Sequence, residues 1–436
     1  MKARRIFQLL SLLIYVLLFI FLAHIPRSAF AEMIIVYTAL FALYAFGWYK
    51  NVAFSIPALV IFILAVRLPF FFNLPWLSDD FFRFLWDGLL ITEGLIPYGV
   101  APSAVDTATF ANPQFAETLL SGMNSPEFAS VYPPINQLFF TVASFLSGNN
   151  LLQGVNVLRL LILFSEGGLF LYFLFRFRQK IWLIAAYLLN PLVVAEGIGN
   201  VHFEAAMIPW LAVGFAEFGA KNFAKAGIAW SGSILIKLTP LMLAPVFWFQ
   251  AKGRDRWVFA LVAAVLILTL TIPWFLVSGL GEGLGLYFHH FEFNASVYYL
   301  VGWIGSQWKG YNVIATIGPG LGLLAFVLIV FISWKGRRIL PEETALLVYL
   351  VFYLLSTTVH PWYGIIVVYL AIISNRPLIL VWSFTIWFSY SHYSDPFGPK
   401  WLWLVAEYIP LFLAIILENR RRKWFQSTAG RALLRG

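Results

Sequence analysis

The sequence predicts an all-α polytopic membrane protein with about 14 transmembrane helices, on three observations. Of its 436 residues, 61% are hydrophobic and only 11% are charged, whereas soluble domains carry roughly a quarter charged residues. Apolar runs long enough to cross a bilayer, roughly 17 to 25 residues, recur along almost the whole chain. The basic residues are concentrated in the short segments between these runs. The absence of cysteine excludes disulfides and thiolate metal sites.

The first apolar run, residues 6–23, is predicted to be a retained span. It follows Lys2, Arg4 and Arg5, and the stretch 29–31 (Ala-Phe-Ala) resembles a signal-peptidase site. Its apolar core of 18 residues is longer than the roughly 7 to 15 residues of a signal peptide. A cleaved signal remains the alternative.

The other spans are predicted from hydropathy and from the distribution of basic residues. They lie near 31–47, 52–71, 152–175, 181–197, 203–219, 224–237, 239–250, 257–278, 311–334, 342–358, 361–375, 377–393 and 400–418. With the N-terminus inside, the cytoplasmic segments, including a basic tail at 419–436, hold 22 of the 29 Lys and Arg residues. In membrane proteins, cytoplasmic loops are enriched in Lys and Arg. The net charge of +9 therefore requires no nucleic-acid partner.

Two further predictions keep this topology consistent. The run 132–146 opens with two prolines and contains Asn136 and Gln137, so it is predicted to lie at the outer surface instead of crossing. Residues 224–250 have basic residues at both ends. They are predicted to form two short helices that turn at "IKLTP", with Lys237 near the outer face.

The topology makes 72–151 one long extracytoplasmic loop within a single transmembrane domain, 1–436. Long loops in compact proteins are functional or disordered. This loop interleaves aromatic residues with the turn-forming stretches "IPYGVAP" and "YPP", which predicts an ordered structure. Its acidic residues are Asp79, Asp80, Asp87, Glu93, Asp106, Glu117 and Glu127.

The stretch "SDDFFRFLWDG", residues 78–88, is the densest charged segment of this loop. As a helix over 79–90 capped by Ser78, it places its charged residues on one narrow face and its aromatic residues on the other. This pattern predicts a helix lying in the membrane interface with its apolar side down. One interpretation is a solvated face on which Arg83 neutralises Asp79 and Asp87. The other is an acid–base site, because adjacent carboxylates tend to raise one pKa.

Several motifs occur in an order that resembles the GT-C superfamily of integral membrane glycosyltransferases. They are "SDDFFRFLWDG", "IPYGVAPS", "YPPINQLFF", "LLNPLVVAEGIGNVHFEA", "ILIKLTPLMLAP" and "HPWYGIIV". The chain is most similar to bacterial α-mannosyltransferases that use polyprenyl-phosphate sugars, and more distantly to the catalytic subunit of GPI mannosyltransferase I. The resemblance covers roughly residues 50–375. Bacterial relatives often have Gly-His-Asn-Asp where this chain has "GNVHFE" at 199–204, so His202 and a carboxylate stand at altered spacing.

The resemblance implies an inverting sugar transfer at the outer face of a bacterial cytoplasmic membrane. An acidic residue at the start of the first large outer loop would act as general base, which by position is Asp79 or Asp80, with a slight preference for Asp79. By the resemblance, the donor would be a polyprenyl-phosphate sugar, with mannose as the expected sugar, and the acceptor a hydroxyl of a glycan, lipid or protein. No metal or other cofactor is expected. Residues expected at the donor phosphate are Arg83, Lys237, His202 and His360, and those expected at the substrates are Asp87, Tyr132, Glu204 and Tyr363.

Two other functions remain as alternatives. A secondary transporter would have charges along a substrate path, but such proteins show two matching halves, which this sequence lacks. An outer-face polymerase or ligase of lipid-diphosphate-linked glycans would use His289 and His290, near Glu292, in a late outer loop. These three residues also make a weak metal signal.

Charged residues inside the predicted spans are interpreted as structural ion pairs without a role in the site. They are Arg67, Arg159, Glu166 and Glu196. The sequon at 294–296 faces outward in the predicted topology, and glycosylation and chance occurrence are equally compatible with it.

Overall fold

The structure is a computed structural model that describes residues 2–50, 54–277, 291–394 and 400–426, with side chains described at 10–50, 54–272, 291–394 and 400–421. The described residues form helices joined by short turns, and no β-strand occurs among them. A single parallel bridge pairs Phe293 with Thr358. The predicted all-α fold is confirmed for this part of the chain.

The described chain contains twelve helices before residue 278. They are α1 (Lys2–Leu22), α2 (Phe30–Tyr49), α3 (Ile56–Ala65), α4 (Asp80–Thr92), α5 (Pro113–Gly122), α6 (Pro134–Leu146), α7 (Leu151–Arg176), α8 (Ile181–Leu188), α9 (Glu204–Gly219), α10 (Phe223–Ile236), α11 (Ala244–Gln250) and α12 (Gly253–Val277). A π-helix, Val193–Gly199, lies between α8 and α9. After residue 290 follow α13 (Val297–Lys309), α14 (Ile314–Lys335), α15 (Pro341–Leu355), α16 (Gly364–Ile373), α17 (Trp382–Thr385) and α18 (Lys400–Gln426).

Five helical segments among the described residues are long and apolar enough to cross a membrane. They are Phe30–Tyr49, Leu151–Arg176, Gly253–Ile272, Ile314–Arg338 and Lys400–Arg421. A sixth results if the bent pair Arg178–Leu188 and Val193–Gly199 is one span. Other predicted spans coincide with shorter apolar helices, such as Phe223–Ile236 and Pro361–Ile373. Helix length alone therefore supports a membrane protein with fewer full-length spans than the sequence predicts.

The predicted span at 181–197 corresponds to a bent pair of helices, because the chain turns by 73° between α8 and the π-helix. Pro191 follows the end of α8 and cannot donate a backbone hydrogen bond to continue that helix. The Asn190 side chain accepts a bond from the Leu192 N–H (3.0 Å) and donates to the Ser383 hydroxyl (3.1 Å). These contacts hold the bend inside the protein.

The predicted turn within 224–250 is confirmed. The first helix, α10, ends at Ile236, and Lys237 takes an extended conformation. A short 3₁₀ helix, Thr239–Leu243, leads into α11. The indole N–H of Trp230 donates to the Pro240 carbonyl at 3.0 Å, which fastens the turn back onto α10.

The long loop 72–151 is ordered throughout, as predicted, and the aromatic face of its charged helix is covered by protein. α4 packs its aromatic face against α6 instead of leaving that face to lipid, and Phe84 stacks on Phe140 with ring centroids 4.6 Å apart. Gly88 permits this close approach, since a Cβ there would lie 2.1 Å from the Phe140 carbonyl oxygen. α4 begins at Asp80, one residue later than predicted, and the Ser78 hydroxyl accepts the Asp80 N–H at 3.2 Å.

α6 corresponds to the outer-surface helix predicted at 132–146. It has 13 residues, fewer than the roughly 20 that a transmembrane helix needs. Its polar residues Asn136 and Gln137 are buried. The helix thus forms the support on which α4 rests, while its position relative to the membrane remains a prediction.

The four charged residues expected to form ion pairs inside the helices behave differently from one another. Arg67 and Glu166 form an ion pair of the predicted kind, with Nε–Oε2 and Nη2–Oε1 distances of 2.8 and 3.1 Å. Arg159 instead donates to the carbonyl oxygens of Ile198 and Gly199, at 3.0 and 2.9 Å, so its prediction as an ion pair is wrong. A guanidinium satisfied by carbonyls at a helix end needs no carboxylate.

Asn294 of the sequon is 1% exposed. Its side-chain nitrogen donates to the Val359 carbonyl at 3.3 Å and to Glu407 Oε1 at 3.1 Å. The nitrogen that a glycan would modify is thus buried and engaged in the fold.

Candidate active site

The two neighbouring aspartates at the start of α4 have different partners. Each side chain is 28% exposed. Asp79 Oδ2 accepts a bond from Arg27 Nη1 at 2.9 Å, and the Arg27 guanidinium lies over the Tyr393 ring at 5.3 Å. Asp80 Oδ2 instead faces His202 Nε2 at 3.8 Å. Sequence reasoning assigned no site role to Arg27, and the interpretation in which Arg83 neutralises Asp79 is wrong, because Arg27 is the partner of Asp79.

The surroundings of Asp80 adjust its basicity in both directions. Burial raises the pKa of the Asp80 carboxyl above its usual value, while a proton on His202 and the charge of Lys237 would lower it and the charge of Glu204 raises it. A carboxylate with a raised pKa is a better proton acceptor than an ordinary aspartate. Its partial exposure leaves room for a substrate hydroxyl to reach it.

His202 is fully buried beside this carboxylate. Its Nδ1 lies 3.1 Å from the Glu196 carbonyl oxygen. Its ring stacks on Trp362 with centroids 3.8 Å apart, and Trp362 in turn stacks on His360 at 4.3 Å. Burial lowers the pKa of His360 to about 3, with smaller contributions from His202 and Lys237. His360 is therefore neutral at physiological pH.

Glu196 is the residue that sequence reasoning missed, because it was interpreted as a structural charge. Its carboxyl accepts bonds from the Tyr390 hydroxyl at 2.7 Å and from Asn200 Nδ2 at 3.1 Å. His202 Nδ1 also lies 3.3 Å from its Oε2. The signal in the sequence is an acidic residue in an apolar run six positions before His202, since such intramembrane acids are commonly functional.

A strained turn presents His202 to the site. Val201 has φ of +56°, a conformation that a β-branched residue rarely adopts. Asn200 Oδ1 accepts the Leu77 N–H at 3.3 Å, which ties this turn to the segment that leads into α4. Arg159 Nη1 adds a second tie by donating to the Asn73 carbonyl at 2.6 Å. Strain of this kind persists only where the surroundings hold it in place.

Lys237 contributes a positive charge near Asp80. Its ammonium is 3.0 Å from Glu204 Oε1 and 5.2 Å from the centre of the Tyr132 ring. The extended conformation of Lys237 after α10 directs it there. Glu204 begins α9, immediately after the turn that carries His202. This pairing places a cation next to the candidate base.

The remaining predicted site residues, Arg83, Asp87 and Tyr363, have partners of their own. Asp87 is fully buried and accepts bonds from the hydroxyl of Ser130 and from Gln137 Nε2 (2.9 Å), and burial raises the pKa of Asp87 to about 6. Arg83 donates to the Ser125 carbonyl at 2.9 Å instead of pairing with Asp87. Tyr363 stacks on Tyr353 at 5.5 Å. The solvated-helix interpretation is wrong for Asp87.

The structure thus groups six of the predicted residues, Asp80 among them, and leaves others to supporting positions. The six are Asp80, Tyr132, His202, Glu204, Lys237 and His360. Within the described ranges, no three His, Cys, Asp or Glu side chains are placed to hold a metal ion. His289 and His290 lie outside the described residues, and Glu292 accepts a bond from Asn312 at 3.0 Å.

Comparison with known proteins places this site in a family. Residues 12–252 match the family described as "Alpha-(1->6)-mannopyranosyltransferase, N-terminal domain". The chain belongs to this family. The matched region carries Asp80, Glu196, His202 and Lys237, so the resemblance to bacterial α-mannosyltransferases inferred from the motifs is confirmed.

A curated relative agrees with this assignment. The chain is 26% identical over 275 residues to Alpha-(1->6)-mannopyranosyltransferase A of Mycobacterium tuberculosis, a match that covers 59% of this chain and 50% of the relative. The chain therefore aligns with about half the length of that relative. No solved structure matches the chain significantly.

Proposed function

We propose that the protein is an inverting glycosyltransferase that moves a sugar, mannose first among the candidates, from a polyprenyl-phosphate donor to an acceptor hydroxyl. Membership in a mannopyranosyltransferase family supports the sugar and the reaction class. The observation that carries the proposal is the partly exposed Asp80 carboxylate, which lies beside His202 and within the field of Lys237. A base next to cations suits a reaction that removes a proton and releases a phosphate.

Asp80 is the general base in this proposal. The acceptor oxygen attacks the anomeric carbon, and its proton passes to the Asp80 carboxylate as the new C–O bond forms. The bond between the anomeric carbon and the phosphate oxygen breaks, and the phosphate keeps the electron pair. The sequence slightly favours Asp79, but the ion pair with Arg27 engages that carboxylate, so the geometry favours Asp80.

Cations near Asp80 stabilise the departing phosphate. Lys237 and Arg83 each lower the pKa of Asp80 through their charge, so their fields reach the place where the leaving group's charge develops. Charge-assisted bonds to phosphate are among the strong ones in proteins. Lys237 would share its ammonium between Glu204 and the phosphate, while neutral His360 would contribute a hydrogen bond. The substrate residues Tyr132, Glu204, Asp87 and Tyr363 border or support this space.

The proposal includes about 14 crossings in a GT-C-type layout, with 72–151 and the site at the outer face. The distribution of the basic residues supports it,. Single cysteines report on sidedness in this cysteine-free chain. We expect an impermeant thiol reagent to label Ala111→Cys in intact cells and to leave Gln179→Cys unlabelled until the membrane is permeabilised. Both residues are exposed on the protein surface, and the reverse labelling pattern would contradict the outer-face proposal.

The reaction itself is tested with purified protein and polyprenyl-phosphate mannose. We expect release of polyprenyl phosphate that depends on an added mannoside acceptor and continues in EDTA. Three other donors are compared in the same assay: GDP-mannose, polyprenyl-phosphate glucose and polyprenyl-phosphate arabinose. Transfer from GDP-mannose alone would contradict the lipid donor, and strict dependence on Mg²⁺ or Mn²⁺ would make Asp79 and Asp80 metal ligands. Uptake of a solute without sugar transfer would favour the transporter.

A further inference from the structure

We propose that Glu196 is a positioning residue, which holds His202 so that its Nε2 receives the acceptor's proton from Asp80. The inference rests on the proposed function, since it concerns the proton that Asp80 takes up during sugar transfer. It gives a role to a buried carboxylate that the base and the phosphate-binding residues leave unexplained.

The tautomer of His202 follows from its neighbours. Nδ1 lies 3.1 Å from the Glu196 backbone oxygen and 3.3 Å from the Glu196 Oε2. A backbone carbonyl can only accept a hydrogen bond, so Nδ1 must carry the proton. In neutral His202 the other nitrogen, Nε2, then has a lone pair. His202 therefore cannot donate Nε2–H to a donor phosphate in this state.

That lone pair faces the candidate base. Nε2 is buried and has no hydrogen-bond partner among the described residues, and Asp80 Oδ2 lies 3.8 Å away. A buried nitrogen without a partner is costly. When Asp80 has taken the acceptor's proton, it becomes a donor, and closing this gap by about 1 Å makes an ordinary O–H···N bond.

The proton then moves from the Asp80 carboxyl to His202 Nε2. The O–H bond of protonated Asp80 breaks and the N–H bond at His202 Nε2 forms, so the carboxyl becomes a carboxylate and the imidazole becomes an imidazolium. The imidazolium then lies between the carboxylates of Asp80 and Glu196, both of which stabilise its charge. The stacked Trp362 ring, 3.8 Å from the His202 ring, adds a favourable face for a cation. Asp80 is thereby restored as a base.

Two donors hold the Glu196 carboxyl in place. The Tyr390 hydroxyl donates to Oε1 at 2.7 Å and the Asn200 amide donates to Oε2 at 3.1 Å. The orientation of the Asn200 amide is fixed, because its oxygen accepts the Leu77 N–H. Asn200 therefore links Glu196 to the segment that carries Asp80.

The test is Glu196→Gln, which keeps the size of the side chain and removes its charge. We expect turnover to fall about 10- to 100-fold, by analogy with the loss of an outer partner of a metal-binding histidine. Affinity for polyprenyl-phosphate mannose should stay within about twofold of wild type, because Glu196 is not among the residues proposed to bind the donor. A loss of donor binding with unchanged turnover would contradict the positioning role.

A double-mutant cycle separates this role from a general structural one. If Glu196 acts through His202, Glu196→Gln has little further effect on turnover in a His202→Gln background. Glu217→Gln is the matched control, since Glu217 is a buried glutamate at the opposite end of α9 from Glu204. Its effect should be the same in both backgrounds. Equal reductions by Glu196→Gln in both backgrounds would overturn the inference.

Failure of this inference is distinguishable from failure of the proposed function. If wild-type protein releases no polyprenyl phosphate from any donor tested, the proposed function fails. If wild type is active, Asp80→Asn is inactive and Glu196→Gln is fully active, only the role of Glu196 fails. Should Glu196→Gln not purify as folded protein, Tyr390→Phe replaces it in the same cycle, and equal effects in both backgrounds again overturn the inference.

Discussion

Glu166 and Glu196 are both glutamates in apolar segments, and both are buried, yet their partners differ. Glu166 receives two parallel bonds from Arg67, whose guanidinium also donates to the carbonyls of Ile63 and Leu188. Glu196 receives neutral donors and faces His202. The first group of contacts is closed on itself, whereas the second ends at a nitrogen that faces Asp80.

This difference shows that burial of a charge does not identify a functional site. A carboxylate paired with a guanidinium is neutralised where it stands and has no further group to act on. A carboxylate that orients a histidine can influence chemistry at a second carboxylate. The useful indicator is a buried polar atom that lacks a hydrogen-bond partner and lies near a partly exposed carboxylate, as His202 Nε2 does.

The largest expected effect on stability concerns the closed pair. Arg67→Ala leaves Glu166 buried without its partner, which costs about 3 to 5 kcal/mol in comparable cases. We expect a marked fall in thermal unfolding temperature in detergent, with the double variant Arg67→Met/Glu166→Leu recovering most of it. A double variant as unstable as Arg67→Ala would show that the pair stabilises the fold by more than the mutual neutralisation of its two charges.

A third buried carboxylate, Asp87, sharpens the comparison because its hydrogen-bond partners are neutral and include no histidine. Burial raises the pKa of Asp87 to about 6, from 3.8 for an ordinary aspartate. The folded protein thus binds the Asp87 proton more tightly than the unfolded chain does. Its stability therefore falls as the pH rises from 3.8 to about 6,. At 1.36 kcal/mol per pKa unit, the loss is about 3 kcal/mol.

Asp87→Asn removes this titration. We expect wild-type protein to lose more stability than the variant when the pH is raised from 4.5 to 7.5, measured as the shift in unfolding temperature. The difference between the two proteins isolates Asp87 from other titrating groups. Identical pH dependence in both would show that Asp87 carries no raised pKa in the folded state.

The smallest expected effect is that of Tyr390→Phe, which removes one donor from Glu196 and keeps the ring. A neutral hydrogen bond contributes about 0.5 to 1.5 kcal/mol, which corresponds to roughly a 2- to 12-fold reduction in turnover. Thr385→Val, which removes a hydroxyl bonded to the Glu407 carbonyl, is the control and should leave turnover unchanged. A reduction as large as that of Asp80→Asn would place Tyr390 itself at the reacting atoms.

The helical class, the ordered acidic loop and the break at Lys237 could be predicted from the sequence. Apolar length, turn-forming residues and the charge distribution determine these features locally. The bend after Leu188 could not be predicted from hydropathy, because the apolar composition continues through it even though Pro191 interrupts the helix. Its geometry depends on contacts with distant residues such as Ser383.

The candidate site was predicted in part for a similar reason. Asp80, His202 and Lys237 stand in recognisable motifs, and the structure brings them together. The partners of each carboxylate could not be predicted, since Arg27 and Tyr390 reach Asp79 and Glu196 from 52 and 194 residues away. A helical projection of 79–90 assigns Arg83 to Asp79 because it considers only neighbours on one helix.

The most direct test of the central claim compares Asp80→Asn with Asp79→Asn in a single-turnover assay on purified protein loaded with polyprenyl-phosphate mannose. Both substitutions keep the size of the side chain, and donor binding measured beforehand confirms that each variant is folded. We predict that Asp80→Asn lowers the rate of polyprenyl phosphate release by about 10² to 10⁴, the usual contribution of a general base, and that Asp79→Asn lowers it less than about tenfold. Near-wild-type release by Asp80→Asn, with or without loss in Asp79→Asn, would contradict the assignment of Asp80 as the base.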